Sequence, residues 1–471
     1  MAIDFEKEAE KYREDLKKDL ITLLKIDSSR DLAHKSADAP LGPGPKAALL
    51  QALDFAKRDG FQTKNVENVA GRVEYGDGDE ILGVFAHMDE VPAGDGWDTN
   101  PFEPVIKDGK IYARGSSDDK GPAMAAYYGL KILKDNGVKL NKKIHFIYGT
   151  DEENDWYGLN QYLKSEPTPD FGFSPDASFP IINGEKGITN LLFNFVAPND
   201  GGDFTLLEFK AGTASNMVPQ TAKAAITYNG DDLPEDFLGS FNRFLADNKI
   251  KGTMVRDDNN IEIQVVGKGT HAMDPKLGKN AATYLAAFLD QYDFDEQGQN
   301  YLDVIATYMH NNFDGSGLGI DHHDDLMGDL TASPDVFDYT QNGKQTLVLN
   351  IRYPQGTDPD KMIKQMHEHM NFPADLEITV MGEPEAPHYV PGTDPLVKTL
   401  LDTWTDHTGQ PGHEEIIGGG TYGRLIKRGV GYGALFPNRE NVMHQANEYM
   451  YIDDILKACA IYADAMYRLA K

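Results

Sequence analysis

Three short apolar runs, "ILGVFA" at 81–86, "KKIHFIYG" at 142–149 and "DFGFSP" at 170–175, are separated by stretches with helical spacing. "DDKGPAMAAYYGLKILKDNG" repeats its apolar residues at helical intervals and stops at Asn136-Gly137, and "WYGLNQYLKSE" follows the second run. Strands that are apolar throughout are buried on both faces, and helical crossovers between them favour a mostly parallel sheet. The predicted fold class is therefore α/β, an α/β/α catalytic domain on a mostly parallel sheet. In such sheets functional groups gather beyond the carboxyl ends of the strands. The opening stretch to about Ile26 also has helical spacing, and a Gly/Pro-rich loop leads into a second helix that stops at Gly60.

The pattern changes after "INGEKG". Alternating strands such as "ITNLLFNFVA", "IEIQVVGKG", "QTLVLNIRYP" and "LEITVMG" then mix with helices such as "NAATYLAAFLDQY", which predicts an α+β unit on an antiparallel sheet. The first pattern resumes with "DPLVKTLLDTWTDHTG", "GALFP" and a final helix from about Ile452. The expected layout is one discontinuous catalytic domain, 1–186 and 386–471, interrupted by a large α+β lid domain at 187–385. That insertion is about twice what one small α+β domain needs, which points to a doubled unit.

The first apolar run ends in His87-Met88-Asp89. Residues two apart in an extended chain share a side, so Asp89 can orient the His87 ring, as carboxylates do behind metal-binding imidazoles. Asp118 and Asp119 open a helix, Glu152 and Glu153 come directly after "IHFIY", and Asp176 lies just past the third strand. Singly, each has a plainer explanation as a helix cap or a complement to a helix dipole. Together they fall at one edge of one predicted sheet, where so many carboxylates repel one another unless cations sit among them. Carboxylates and imidazole without thiolate suit Zn²⁺, with Co²⁺ or Mn²⁺ as substitutes. The number of acids favours two metals, about 3.5–4 Å apart and sharing a carboxylate.

The segments "HMDEVP", "ARGSSDDKG", "DEEN", "PDASFP" and "NGEKG", in this order, resemble the M20 metallopeptidases, a family of di-zinc aminoacylases, carboxypeptidases and dipeptidases. The likeness runs nearly end to end and is strongest to the family's bacterial, carnosinase-like dipeptidases. It implies that His87 and Asp176 bind one zinc, Glu153 binds the other, Asp118 bridges both, and His444 in "NRENVMHQANEYM" is the fifth ligand. Asp118 is preferred to Asp119 because the family pattern is Asp-x-Lys-Gly, here 118–121; the Asp118–Asp119 peptide is expected to be cis. Asp89 becomes the carboxylate behind His87, and Glu152 the general base. In the insertion, His271 of "GKGTHAMDPKLGKNAA" matches the family's lid histidine, which stabilises the oxyanion. Asn216 in "SNMVPQTAKAAI" and Arg352 in "LNIRYP" match two further lid positions, and an arginine there can grip a substrate carboxylate bidentately. The bend Gly418 to Gly420 with Thr421 either lines the substrate pocket with backbone amides or is a plain loop.

The function implied is zinc-dependent hydrolysis of dipeptides with a free N-terminus, through a metal-bridging water and Glu152. An N-acyl-amino-acid deacylase with the same metals is the alternative. A non-catalytic zinc-binding protein is the reading from another class, and the presence of Glu152 and His271 speaks against it. A double-length lid lets His271 act in its own chain, so a monomer is expected. Asp and Glu outnumber Lys and Arg by 75 to 45, a formal charge of −30 that repels nucleic acid and anionic membrane and leaves small substrates as the expected partners. The single cysteine, Cys459, excludes an intramolecular disulfide and is expected to be buried on the last helix. The charged first 20 residues lack a secretory apolar region, no run approaches the roughly 20 apolar residues of a membrane span, and the expected location is the cytoplasm. His322 to Asp325 reads as a solvated loop, and His367 and His369, two apart in a helix, do not share a face.

Overall fold

In the computed structural model, the apolar run ending at His87 forms the strand Ile81–His87, paired in parallel with Lys143–Gly149 on one side and Phe171–Ser174 on the other. Residues 3–198, 200–230, 233–234, 236–371 and 376–471 are described. They form two compact units: the chain up to Gly184 with Tyr389–Ile416 and Gly420–Lys471, and Glu185–His388 with Ile417–Gly419.

The first unit holds a six-stranded sheet in the order Gln62–Val66, Ala70–Tyr75, Lys143–Gly149, Ile81–His87, Phe171–Ser174, Gly429–Gly431. The last four strands run parallel, and Gln62–Val66 and Ala70–Tyr75 add an antiparallel hairpin at one edge. Alternation along the strands divides the core. Val84, Ala86, Phe146 and Tyr148 pack with the helices Pro43–Arg58, Lys120–Asp135 and Ile452–Ala470. Phe85 and Ile147 face the other way, against Leu159 and Tyr162 of the helix Tyr157–Ser165 and against Tyr422 and Ile426. Lys120–Asp135 and Ile452–Ala470 cross closely at Gly129, where an added Cβ would lie 2.9 Å from the Ala463 nitrogen and 3.1 Å from the Cys459 carbonyl. Cys459 is fully buried at that crossing. The segment "GALFP" contributes a two-residue strand, Ala434–Leu435, paired in parallel with Ala177–Ser178, while the edge of the six-stranded sheet is the preceding Gly429–Gly431, and Gly433, at φ +72°, turns the chain between the two.

The second unit is built on an eight-stranded antiparallel sheet in the order Lys251–Asp257, Asn260–Val266, Thr221–Tyr228, Phe204–Ala211, Thr331–Thr340, Gln345–Tyr353, Gly187–Phe195, Leu376–Glu385. The period-two burial of Gly187–Phe195, buried at every odd residue, is that of a strand with one face on a core. That core is filled from the helices Phe237–Asn248, Ala281–Leu289, Glu296–Asp303 and Pro359–His369. Among the described residues no helix is long and apolar enough to cross a membrane.

Candidate metal centre

The parallel strands of the first unit deliver their last residues to one place. His87 ends its strand opposite Gly149, Glu152 and Glu153 follow that glycine by three and four residues, and Asp176 follows Ser174 by two. Asp118 and Asp119 precede the helix Lys120–Asp135 and are joined by a cis peptide bond. His444 arrives from the loop before the strand Tyr449–Tyr451, with φ +64°, a left-handed conformation uncommon outside glycine and frequent at functional sites.

Asp118 links the cluster. Its Oδ1 lies 3.1 Å from His87 Nε2, and its Oδ2 lies 2.9 Å from His444 Nε2. The same His444 nitrogen is 3.0 Å from Glu153 Oε1, and His87 Nε2 is 3.6 Å from Asp176 Oδ2. Two sets of ligand-type groups therefore close within 4.8 Å and share His87: one with Asp118 and Glu153, the other with Glu152 and Asp176. The His87 Nδ1 lies 3.0 Å from the Asp89 carbonyl oxygen and 3.4 Å from its carboxylate. A proton on Nδ1 donated to that carbonyl leaves the Nε2 lone pair facing the acids, the orientation a metal ligand needs. The Asp89 carboxylate has a further task, because it accepts the backbone N–H groups of Glu152 at 3.1 Å and Glu153 at 3.2 Å. One residue thereby orders both the imidazole and the paired glutamates.

Electrostatics divide the members of the cluster. Burial, joined by the charges of Asp176, Glu153 and Asp118, holds Glu152 well above the carboxylate range against the pull of His87. Burial and Asp118 raise Glu153 to about 7, and the same two causes raise Asp176. Burial opposes charge on His87, but its bonds to Asp118, Asp176 and Asp89 prevail and push the ring well above its ordinary value. The half-exposed His444 is likewise pushed up by Asp118 and Glu153, against its desolvation. Asp118 goes the other way: against its burial, the bonds from His444 and His87 hold it below the carboxylate range. Oxygen with imidazole nitrogen is a donor set that fits zinc, cobalt or manganese.

The scaffold beneath contains residues that sequence reasoning missed. Glu448, fully buried, accepts hydrogen bonds from Arg114 Nη1 at 2.6 Å, from Ser117 N at 2.7 Å and Oγ at 3.1 Å, and from the N–H groups of Gly115 and Asp118, both at 3.2 Å. It fixes the loop that carries Asp118. Lys120 and Glu90, both fully buried, pair at 2.7 Å; Lys120 also donates to the Ile26 carbonyl, and Glu90 accepts from the Ser28 N–H. The Tyr422 ring stands edge-on to His87 at 6.3 Å and packs on Trp156 at 5.4 Å. The Asn447-Glu448 pair three residues after His444 is the one local signal for Glu448, and Glu90, Arg114 and Tyr422 have none.

Within the second unit, three of the predicted residues lie on neighbouring segments. His271 bridges Met217, and the Ala272 N–H donates to the Asn216 carbonyl at 2.8 Å, so His271 and Asn216 lie on adjacent segments. His271 Nδ1 accepts from the Met273 N–H at 3.1 Å, which makes the neutral ring an Nε2–H donor. A Cβ added at Gly418 would lie 3.1 Å from the Met273 Cβ, and the Gly418 carbonyl accepts from Arg352 Nη1 at 2.9 Å. Gly420 and Thr421 belong to the first unit, where the Thr421 hydroxyl accepts from the Gly423 N–H and caps the turn Tyr422–Leu425. The remaining histidines do not converge. His322 bonds the Gln355 carbonyl, His323 bonds Asp329, and His367 and His369 lie in the helix Pro359–His369.

The chain is similar to known peptidases along nearly its whole length. Residues 83–468 match the model of Peptidase family M20/M25/M40. The chain is 51% identical over 472 residues to the Beta-Ala-Xaa dipeptidase of Lactobacillus delbrueckii subsp. lactis, covering 100% of this chain and 99% of that one. It is 41% identical to a putative dipeptidase of Staphylococcus epidermidis, with 97% of each chain covered. Among solved structures, human carnosine dipeptidase 1 shares the fold with a TM-score of 0.59 at 14% identity, covering 99% of this chain and 98% of that one. The aminoacylhistidine dipeptidase of Vibrio alginolyticus does so with a TM-score of 0.53 at 14% identity, over 97% and 96% of the two chains. A match of this extent, on a chain whose acids and imidazoles meet at the carboxyl ends of a parallel sheet, makes the protein a member of Peptidase family M20/M25/M40.

Proposed function

We propose that this peptidase is a dipeptidase acting on dipeptides with a free N-terminus, using two divalent ions, zinc foremost, held by His87, Asp118, Glu153, Asp176 and His444. The observation that carries the reading is Asp118, which sends one oxygen to each of two imidazoles from opposite ends of the chain. His87 with Asp176 would hold one ion and Glu153 with His444 the other, with Asp118 between them. Two such ions, when bound, lower the pKa of a water and polarise the carbonyl to be attacked.

The chain's own groups do the rest. Glu153 points to His444 at 3.0 Å, which leaves the adjacent Glu152 as the acid to take the water's proton and pass it to the departing amine. Asp89 holds both glutamates by their N–H groups. His271, as an Nε2–H donor, stabilises the oxyanion, and Arg352 with Asn216 grips the C-terminal carboxylate. Gly420 and Thr421 line the peptide's path. The relative named a Beta-Ala-Xaa dipeptidase supports β-alanyl dipeptides as substrates here as well. His271 acts in the chain that carries it, and the enzyme works as a cytoplasmic monomer; a rate per chain that falls on dilution would refute the monomer. The test of activity is release of amino acids from α- and β-alanyl dipeptides, with and without chelator, beside N-acetyl amino acids. Chelator-sensitive cleavage of the dipeptides is expected. Preferential release from the N-acetyl compounds would make the enzyme a deacylase instead.

A further inference from the structure

We propose that Asn350 is a positioning residue for the Arg352 carboxylate clamp, with Asn190 as its support; this rests on the reading of Arg352 given above. The strand Gln345–Tyr353 is buried along its whole length, and "LVLNIRY" is apolar except at Asn350 and Arg352. Residues two apart on a strand share a face, so the amide and the guanidinium lie side by side. Asn350 is 2% exposed and Arg352 5%.

The hydrogen bonds run in one direction. Arg352 Nε donates to Asn350 Oδ1 at 2.9 Å, and Asn350 Nδ2 donates to Asn190 Oδ1 at 2.8 Å. Asn190 is the residue directly opposite Asn350 in the antiparallel register with Gly187–Phe195. At its other end the guanidinium donates through Nη1 to the Gly418 carbonyl at 2.9 Å. Two anchors at different nitrogens fix the plane of the group as well as its place. Plane matters because bidentate recognition of a carboxylate depends on the orientation of the guanidinium fork. A side-chain amide is a poor choice for a sheet interior unless both its ends are used, and here both are. The Asn190–Asn350 pair carries the rigidity of the sheet into the clamp.

The test compares a dipeptide with its C-terminal amide, which lacks the carboxylate, on the metal-loaded full-length enzyme. In Asn350→Ala the ratio of kcat/KM for free dipeptide over amide should fall about tenfold, the scale of one hydrogen bond to a charged group, chiefly through KM. Asn350→Asp, which keeps the acceptor for Nε, should recover most of the ratio. Asn190→Ala should shift it in the same direction by less, and serves if Asn350→Ala does not fold. An unchanged ratio in the Asn350 and Asn190 variants, even with both substrates slowed, overturns the proposal. Arg352→Ala separates the two layers: if it leaves the ratio intact, the carboxylate clamp itself is wrong, whatever the asparagines do.

Discussion

Glu448 offers the strictest check on how the loop carrying Asp118 is held. Its carboxylate, without solvent contact, takes hydrogen bonds from the Arg114 guanidinium, the Ser117 hydroxyl and the N–H groups of Gly115, Ser117 and Asp118. The Arg114 side chain is only 2% exposed, so losing Glu448 leaves its charge without its carboxylate partner until water enters. Breaking a buried pair from one side costs about 3–5 kcal/mol. Each backbone donor left unpaired would add about 1–3 kcal/mol if nothing relaxed. Entering water offsets much of that sum, and we expect Glu448→Ala to destabilise the first unit by about 4 kcal/mol. Glu448→Gln fills the same space but turns an NH₂ group toward donors, so it should fall only slightly short of that loss. Because Asp118 is held through its own N–H, affinity for Zn²⁺ should weaken about 10–100-fold, as for other supports of metal ligands. All three tryptophans, Trp97, Trp156 and Trp404, lie in the first unit, so fluorescence in a urea titration reports on that unit alone. Competition with a chromophoric chelator gives the zinc affinity. A double-mutant cycle with Arg114→Met should show a coupling of about 3 kcal/mol, the upper end for residues in direct contact. Glu448→Gln within about 1 kcal/mol of the parent, with zinc affinity unchanged, would refute the cradle.

Three further outcomes follow from the site and the second unit. Glu152→Gln should retain both metals and lose about 10²–10⁴-fold in kcat; a near-normal rate would move the base elsewhere. His271→Ala should lower kcat about 10²–10³-fold with metal content intact, and a parallel loss of zinc would make the residue a ligand. Asp335 is held up to about 8 by burial, against its bond from Ser333 and the charge of Arg352, whereas its ordinary value is 3.8. Between those values the folded unit keeps a proton that the unfolded chain has released, so stability falls as pH rises, by about 1.4 kcal/mol per unit. Asp335→Asn should flatten the calorimetric melting profile between about pH 5 and 8, and an unaltered slope would contradict the assignment.

What could be read from the chain alone follows a physical boundary. Strand ends are visible because apolar periodicity stops at them, which is why His87, Glu152, Glu153 and Asp176 could be named together before their distances were known. Arrangements that depend on distant segments leave no such trace. Glu448 reaches Asp118 across 330 positions, and Glu90 meets Lys120 across 30, and neither glutamate stands out from its neighbours in sequence. The hairpin Gln62–Val66 and Ala70–Tyr75 escaped notice because "QTKNV" is mostly exposed and polar. In "GALFP" the apolar residues form a strand only at Ala434–Leu435, and the bend at Gly433 separates it from the six-stranded sheet. Asn350 was the missed opportunity, since a lone amide in a fully buried strand must have partners.

In the proposed centre, His87, Asp176, Glu153 and His444 gather two divalent ions that share Asp118. Anomalous diffraction at the zinc edge, from crystals grown with Zn²⁺, tests it without reference to activity. Two peaks per chain are expected, one beside His87 and Asp176, the other beside Glu153 and His444, both touching the Asp118 carboxylate. A single peak, or zinc bound away from Asp118, would contradict it.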